Sequence, residues 1–133
     1  MAADPTPAPV HSASAPTPVG PYSQAVKAGG MLFCSGQIAL DPQSGVLVGE
    51  GDVEAETRQV LANLQAVLEA AGCGTERVVR TTVFLTDLAD FATVNAIYAE
   101  TFGAGVAPAR ACIEVAALPK GARVEIDAIA LLP

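Results

Sequence analysis

The chain has 133 residues, 51% hydrophobic and 16% charged, with a formal net charge of −7. That is enough apolar material for one domain with a modest core, and it excludes a disordered chain. The negative balance repels phosphate backbones and anionic lipid, so neither nucleic acid nor a membrane surface is an expected partner.

Residues 1–18 hold five of the ten prolines among Ala, Ser and Thr. They lack the apolar anchors that offset ordering entropy, and a flexible tail is expected, followed by a single domain over residues 19–133. The segment has no basic start and no apolar run, so it does not read as a signal peptide, and a cytoplasmic location is expected. Residues 20–28 and 31–38 read as two strands joined by Gly29-Gly30, a hairpin signal. Asp41-Pro42-Gln43-Ser44-Gly45 is a turn cluster. Residues 46–51 lead as a short extended piece into a helix over 52–71, with Asp52 as N-cap and Glu54 and Glu56 at the positive end of the dipole. Val60, Leu61, Leu64, Val67, Leu68 and Ala71 recur at helical spacing, a core stripe. A β-branched strand follows over 77–86. A second helix over 90–102 carries Phe91, Val94, Tyr98 and Phe102 at intervals of three and four. The final stretch reads as strand, turn, strand, with Leu118-Pro119-Lys120-Gly121 as the turn.

The predicted order is ββαβαββ, an α+β fold: one mixed sheet with two helices on one face. Strand alternation leaves a second, partly apolar sheet face, with Ala111, Ile113, Val115, Val124 and Ile126 grouped on one side. Such a face favours oligomers.

Chemistry-bearing residues are few. The cysteines Cys34, Cys73 and Cys112 are odd in number and lack framework spacing, which argues against a disulfide scaffold. The one histidine, His11, lies in the Pro/Ala/Ser segment. No His/Cys cluster has zinc spacing and no acidic loop has calcium spacing, so no metal is expected. No Gly-rich loop follows a strand.

In the last two strands, parity puts Arg110, Cys112 and Glu114 on one face of the first, and Glu125 and Asp127 on one face of the second. An antiparallel register of Glu114 with Arg123 would set Cys112 opposite Glu125 and Arg110 opposite Asp127, pairing opposite charges. It would gather a guanidinium that can hold a carboxylate bidentately, a thiol, and a carboxylate that can deprotonate water. A hairpin with surface ion pairs of little energetic weight fits the same pattern.

Five motifs go further. Gly20-Pro21-Tyr22-Ser23-Gln24-Ala25, Ser35-Gly36-Gln37-Ile38, Thr81-Thr82-Val83-Phe84-Leu85, Asp90-Phe91-Ala92-Thr93-Val94-Asn95, and Pro108-Ala109-Arg110 with Cys112 and Val124-Glu125-Ile126 resemble, in order, those of the RidA (YjgF) family. The resemblance covers residues 19–132. It implies a chorismate-mutase-like trimer whose three sheets form a central barrel, with sites in the clefts between subunits. It also implies hydrolysis of reactive 2-imino acids and their enamine tautomers, such as 2-iminobutanoate and 2-iminopropanoate, to 2-keto acids and ammonia. The partner is then a small imino or keto acid, and no cofactor is needed, because a protonated imine is itself electrophilic.

By the same resemblance, Arg110 clamps the substrate carboxylate, with backbone groups of Gly36 and Cys112 completing that pocket. Glu125 holds the attacking water with the Cys112 carbonyl. Tyr22 covers the substrate, and Ser35 and Asn95 line the site. Arg110 and Glu125 are expected from one subunit, and Tyr22 or Asn95 from its neighbour. Cys112 as a nucleophile lacks a histidine outside the N-terminal segment to activate it. Each residue also has a plainer reading: Glu125 as a solvated charge, Tyr22 as a packing aromatic, Asn95 as a polar helix residue. Ala111 and Ala117 stand where family members often carry Ser and a basic residue, which leaves the preferred side chain open. The alternatives are a non-catalytic module binding small carboxylates, a ribonuclease or translation inhibitor, and a chorismate-mutase-like enzyme. The acidic balance and the single histidine weigh against the second, and the scarcity of arginine near Arg110 against the third.

Overall fold

The computed structural model describes residues 6–133. Strands β1 (Ala8–Val10), β2 (Ala25–Ala28), β3 (Met31–Gln37), β4 (Val78–Leu85), β5 (Ala109–Glu114) and β6 (Val124–Leu131) form one mixed sheet, ordered β1-β2-β3-β6-β4-β5. Helices α1 (Val53–Ala70) and α2 (Phe91–Phe102) pack on each other and on one sheet face, α1 over β3 and β6. The expected α+β architecture is present, with one strand more at the start.

That strand corrects the expected tail over residues 8–18. β1 pairs antiparallel with β2, and Val10, Ser12 and Ala15 are buried. The cause is Gln24, itself buried. Its Oε1 accepts from Ser12 N at 2.6 Å, and its Nε2 donates to the carbonyls of Ser12 and Pro16 at 3.2 and 2.8 Å. One side chain satisfies backbone groups that a Pro-rich segment cannot pair by itself. Residues 6 and 7 precede the strand and are exposed, and the first five residues of the expected tail lie outside the described residues.

β2 and β3 close as expected through Gly29 and Gly30, both at positive φ (57° and 76°), the conformation a two-residue hairpin of the right twist requires. β2 is shorter than expected, because residues 20–24 leave the ladder to wrap Tyr22 and Gln24 toward the N-terminal segment. Asp52 caps α1, its Oδ1 accepting from Glu54 N at 3.1 Å and Ala55 N at 3.2 Å. The stripe Val60, Leu61, Leu64, Val67 and Leu68 is buried as its spacing requires. Two polar residues of α1 reach further. Glu56, 1% exposed, accepts from the backbone N–H groups of Arg123 and Val124 at 2.5 and 3.3 Å. Asn63 donates to the carbonyls of Ile38 and Leu40 at 3.1 and 2.9 Å. The first pair fixes where β6 begins; the second holds the chain leaving β3.

The expected pairing of the last two strands is overturned. β5 does not pair with β6. It lies parallel to β4, with Cys112 opposite Val83, while β6 runs antiparallel between β3 and β4. Burial decides this. β6 presents Val124, Ile126, Ala128 and Ala130, all at most 2% exposed, and takes a central position. β5 carries mostly exposed residues and is left at the edge. The connection passes Val115, whose N–H donates to Leu85 O at 2.8 Å, and a turn in which Lys120 takes a left-handed φ of 58°. Thr86 N donates to Arg123 O at 3.1 Å, tying that connection to the end of β4.

Candidate functional site

The cross-strand registers settle which residues share a face. Arg110, Cys112 and Glu114 align with Thr81, Val83 and Leu85, and these with Ala128, Ile126 and Val124. This is the helix-covered face. Glu125 aligns with Phe84, and Asp127 with Thr82, on the open face. Arg110 and Glu125 therefore point to opposite sides of the sheet. The expectation that one hairpin brings them together fails because β4 lies between their strands. Ile113 likewise sits on the open face with Glu125, apart from Val124 and Ile126.

The sequence-predicted residues fall into two groups. The first surrounds Glu125. β3 bulges between Cys34 and Gln37: Cys34 opposes Ala128 and Gln37 opposes Ile126, so Ser35 and Gly36 together face Asp127. A bulge re-aims the strand, and here it brings Gly36 against the Glu125 carboxylate. A Cβ at Gly36 would lie 2.6 Å from Glu125 Oε2 and 2.8 Å from its Cδ. Ser35 is tied down by its Oγ, which donates to Ser23 O at 2.6 Å, and by its N–H, which donates to Gln24 O at 3.0 Å. Tyr22, half exposed, closes the other side, and its hydroxyl accepts from Val19 N at 3.4 Å. Together with Val19, Ile38, Leu40 and Pro119 these residues line a cleft of about 320 Å³. Burial, then the neighbouring Asp127 charge, raises the Glu125 carboxyl above its ordinary value of 4.5. Such a shift suits a group that must take up and release a proton nearer neutral pH.

The second group surrounds Arg110. Its Nη1 donates to Asn95 Oδ1 at 2.8 Å. A second cavity, of about 300 Å³, is lined by Asn95, Tyr98, Phe102, Pro108 and Arg110. Cys112 lies one residue pair along β5 on the same face, half-buried against the core. Burial raises its thiol, with the nearby Arg110 charge pulling the other way. The thiol is therefore not primed to ionise. The expectation that Gly36 backbone completes the Arg110 pocket is not met within one chain, since Gly36 belongs to the Glu125 group.

Sequence reasoning missed three residues. Gln24, inside the first motif, anchors the segment from Ser12 to Pro16 that borders the cleft. Glu56, whose first-turn position reads as a charge at the positive end of α1, fixes β6 instead, and Asn63 holds the strand exit beside it; for Asn63, a polar residue amid the apolar stripe was the available signal. Among the described residues no group of three or more His, Cys, Asp or Glu could hold a metal ion, and no helix is long and apolar enough to cross a membrane.

A six-stranded mixed sheet backed by two helices, with the Glu125 cleft on its open face and Arg110 on an edge strand, is an α+β fold. Residues 12–132 match the model of the family described as Endoribonuclease L-PSP, and the chain belongs to that family, the one that includes the RidA and YjgF proteins. It is 60% identical over 124 residues to a RutC family protein of Synechocystis, covering 93% of this chain and 95% of that one. It is 53% identical over 122 residues to the mouse 2-iminobutanoate/2-iminopropanoate deaminase, covering 92% and 89% respectively. The crystal structure of Escherichia coli TdcF with bound serine superposes with a TM-score of 0.89 at 41% identity, covering 95% of this chain and 99% of that one.

Proposed function

We propose that this chain hydrolyses reactive 2-imino acids such as 2-iminobutanoate and 2-iminopropanoate to 2-keto acids and ammonia. The observation that supports the reading is the pair of half-sites: the Arg110 guanidinium, held by Asn95, on one face, and the Glu125 carboxylate in a cleft on the other. Each half lacks what the other has. A trimer of this chain, with the open face turned inward, would bring Arg110, Asn95 and Cys112 of one subunit to Tyr22, Ser35, Gly36 and Glu125 of its neighbour. The open face carries Phe33, Ile113 and Leu131, all large, apolar and at least 44% exposed. A lone domain exposes such a surface at a cost in solubility, and a partner removes it.

In this reading Arg110 holds the substrate carboxylate as a bidentate fork. Glu125 accepts a proton from water as the water oxygen bonds to the imine carbon. With the imine protonated at the start, the adduct is a neutral carbinolamine; Glu125 returns the proton to its nitrogen, the C–N bond breaks as ammonia leaves, and the hydroxyl proton passes to Glu125 and on to solvent as the carbonyl forms. The name of the mouse relative and the serine bound in the TdcF structure support a small α-carboxylate ligand. A nucleic-acid substrate, suggested by the family description, is weakly supported by a chain of net charge −7 with one histidine. The test is release of ammonia and keto acid from imines generated in situ by an amino-acid oxidase. Acceleration over the uncatalysed hydrolysis is expected; saturable keto-acid binding without acceleration would instead mark a non-catalytic carboxylate-binding module.

A further inference from the structure

Arg110 stands on an exposed edge strand, where a long side chain ordinarily wanders and loses that freedom when it binds a ligand. Here it is held. Its Cζ lies 4.8 Å from the centre of the Tyr98 ring and 5.6 Å from that of Phe91, both within cation–π range. Phe91, Asn95 and Tyr98 follow at intervals of four and three on α2, so they form one stripe facing the guanidinium. Tyr98 is itself braced from the core. Its hydroxyl shares a 2.7 Å hydrogen bond with Oγ1 of the fully buried Thr81, and its ring packs 4.7 Å from that of Phe102. Phe91 is a partly exposed aromatic at the start of the helix, a placement that core packing alone does not explain. Among the described residues no carboxylate lies within ion-pair distance of Arg110; the ion pairs all belong to Arg58. The guanidinium is thus gripped by neutral groups only. Its position is fixed while its charge and most of its N–H groups stay free.

We propose that Phe91 and Tyr98 are positioning residues, which together with Asn95 form a cradle that holds the Arg110 fork ready for an anionic ligand. Neither touches the ligand; both act through Arg110. This rests on the reading of Arg110 as the carboxylate clamp. A salt bridge in place of the rings would hold the side chain equally well but would neutralise the charge the ligand needs.

The experiment uses the full chain and two variants, Phe91→Leu and Tyr98→Leu, with two readouts. The first is the Nε–Hε resonance of Arg110 in a nitrogen–proton spectrum, assigned by its loss in Arg110→Lys. In the wild type it is expected well upfield of a free arginine, shifted by the rings. In each variant it should move toward the free position. The second is titration with 2-ketobutanoate. Weakening of about threefold for Phe91→Leu and about tenfold for Tyr98→Leu is expected, the range of exposed to partly desolvated cation–π contacts. Phe91→Leu alters a surface position and keeps the experiment informative should Tyr98→Leu fold poorly. An Arg110 resonance at the free position in the wild type, or unmoved in both variants with unchanged keto-acid affinity, would overturn the cradle while leaving the deaminase reading intact. Ring-shifted Arg110 with no keto-acid binding by the wild type would support the cradle as a structural device and overturn its role toward a carboxylate.

Discussion

Arg110 and Glu125 lie on opposite faces of the same sheet, on β5 and β6, with β4 between them. The separation divides the candidate machinery into a clamp and a proton-transfer cleft, and each can be tested alone.

The cleft is tested by pH. Burial and the Asp127 charge both raise the Glu125 carboxyl. The acid limb of kcat/KM should therefore lie above 4.5, and Asp127→Asn should move it down by removing the second cause. The sign for stability is opposite to that for a salt-bridged acid. A carboxyl raised on folding leaves the folded state holding more protons than the unfolded one, so stability falls as pH rises from the ordinary glutamate range through the raised value. Glu125→Gln should accordingly melt higher than the wild type at pH 7, with the advantage vanishing below the ordinary carboxylate range, while activity is lost. Calorimetry at both pH values checks this.

Gly36 is tested by one methyl group. Gly36→Ala would place a Cβ 2.6 Å from Glu125 Oε2. The far end of a half-exposed side chain can yield, so the fold should survive with a Tm change of a few degrees at most. The displaced carboxylate should lower kcat at least about tenfold. An Ala variant with wild-type kcat would show that the contact is incidental.

The N-terminal segment is tested by deletion. Removing residues 1–18 strips β1 and leaves the buried Gln24 amide without the carbonyls of Ser12 and Pro16. The deletion also removes the β1–β2 ladder and the buried Val10 and Ala15 contacts, a loss of about 1–3 kcal/mol, so Tm should fall by several degrees or more. Gln24→Leu should reproduce part of that loss. A truncated protein melting like the full chain would show the segment to be dispensable.

Much of this was legible in the sequence, and the exceptions have physical causes. Period and caps located α1 and α2 within a residue or two, because Asp52 and the Val60–Leu68 stripe act locally. Gly29-Gly30 marked its hairpin for the same reason. The partners of β5 and β6 were not legible. Charge complementarity between Arg110 and Asp127 is worth little at a surface, whereas burying the whole inner face of β6 between two strands is worth far more. That comparison needs the rest of the sheet. The ordered segment at Ser12 was hidden too, since a composition rich in Pro and Ala says nothing about one distant glutamine. Motif likeness named Tyr22, Ser35, Gly36, Asn95, Arg110, Cys112 and Glu125 together, but it could not say that one chain splits them between two faces.

The thiol of Cys112 is tested by Cys112→Ser. Burial raises this thiol, so at neutral pH little thiolate exists to act as a nucleophile. Most of the activity should remain, and iodoacetamide should modify the native protein slowly. Complete loss of turnover in a well-folded Ser variant would move the thiol into the chemistry.

The central claim is that the two half-sites meet between neighbouring subunits. Light scattering should report three times 13.4 kDa, or 40.2 kDa. The direct measurement is to unfold Arg110→Ala and Glu125→Gln chains, mix them in equal amounts, refold, and assay deamination. Each Glu125→Gln chain keeps an intact clamp and each Arg110→Ala chain an intact cleft. Random assembly should then restore about one quarter of the sites, with activity near that fraction of wild type. A parallel mixture of Arg110→Ala with Asn95→Ala should gain nothing over the two variants refolded separately, since both lesions fall in the same half. Hybrids of Arg110→Ala and Glu125→Gln no more active than either variant refolded alone, in a preparation that scatters as a trimer, would contradict the shared site.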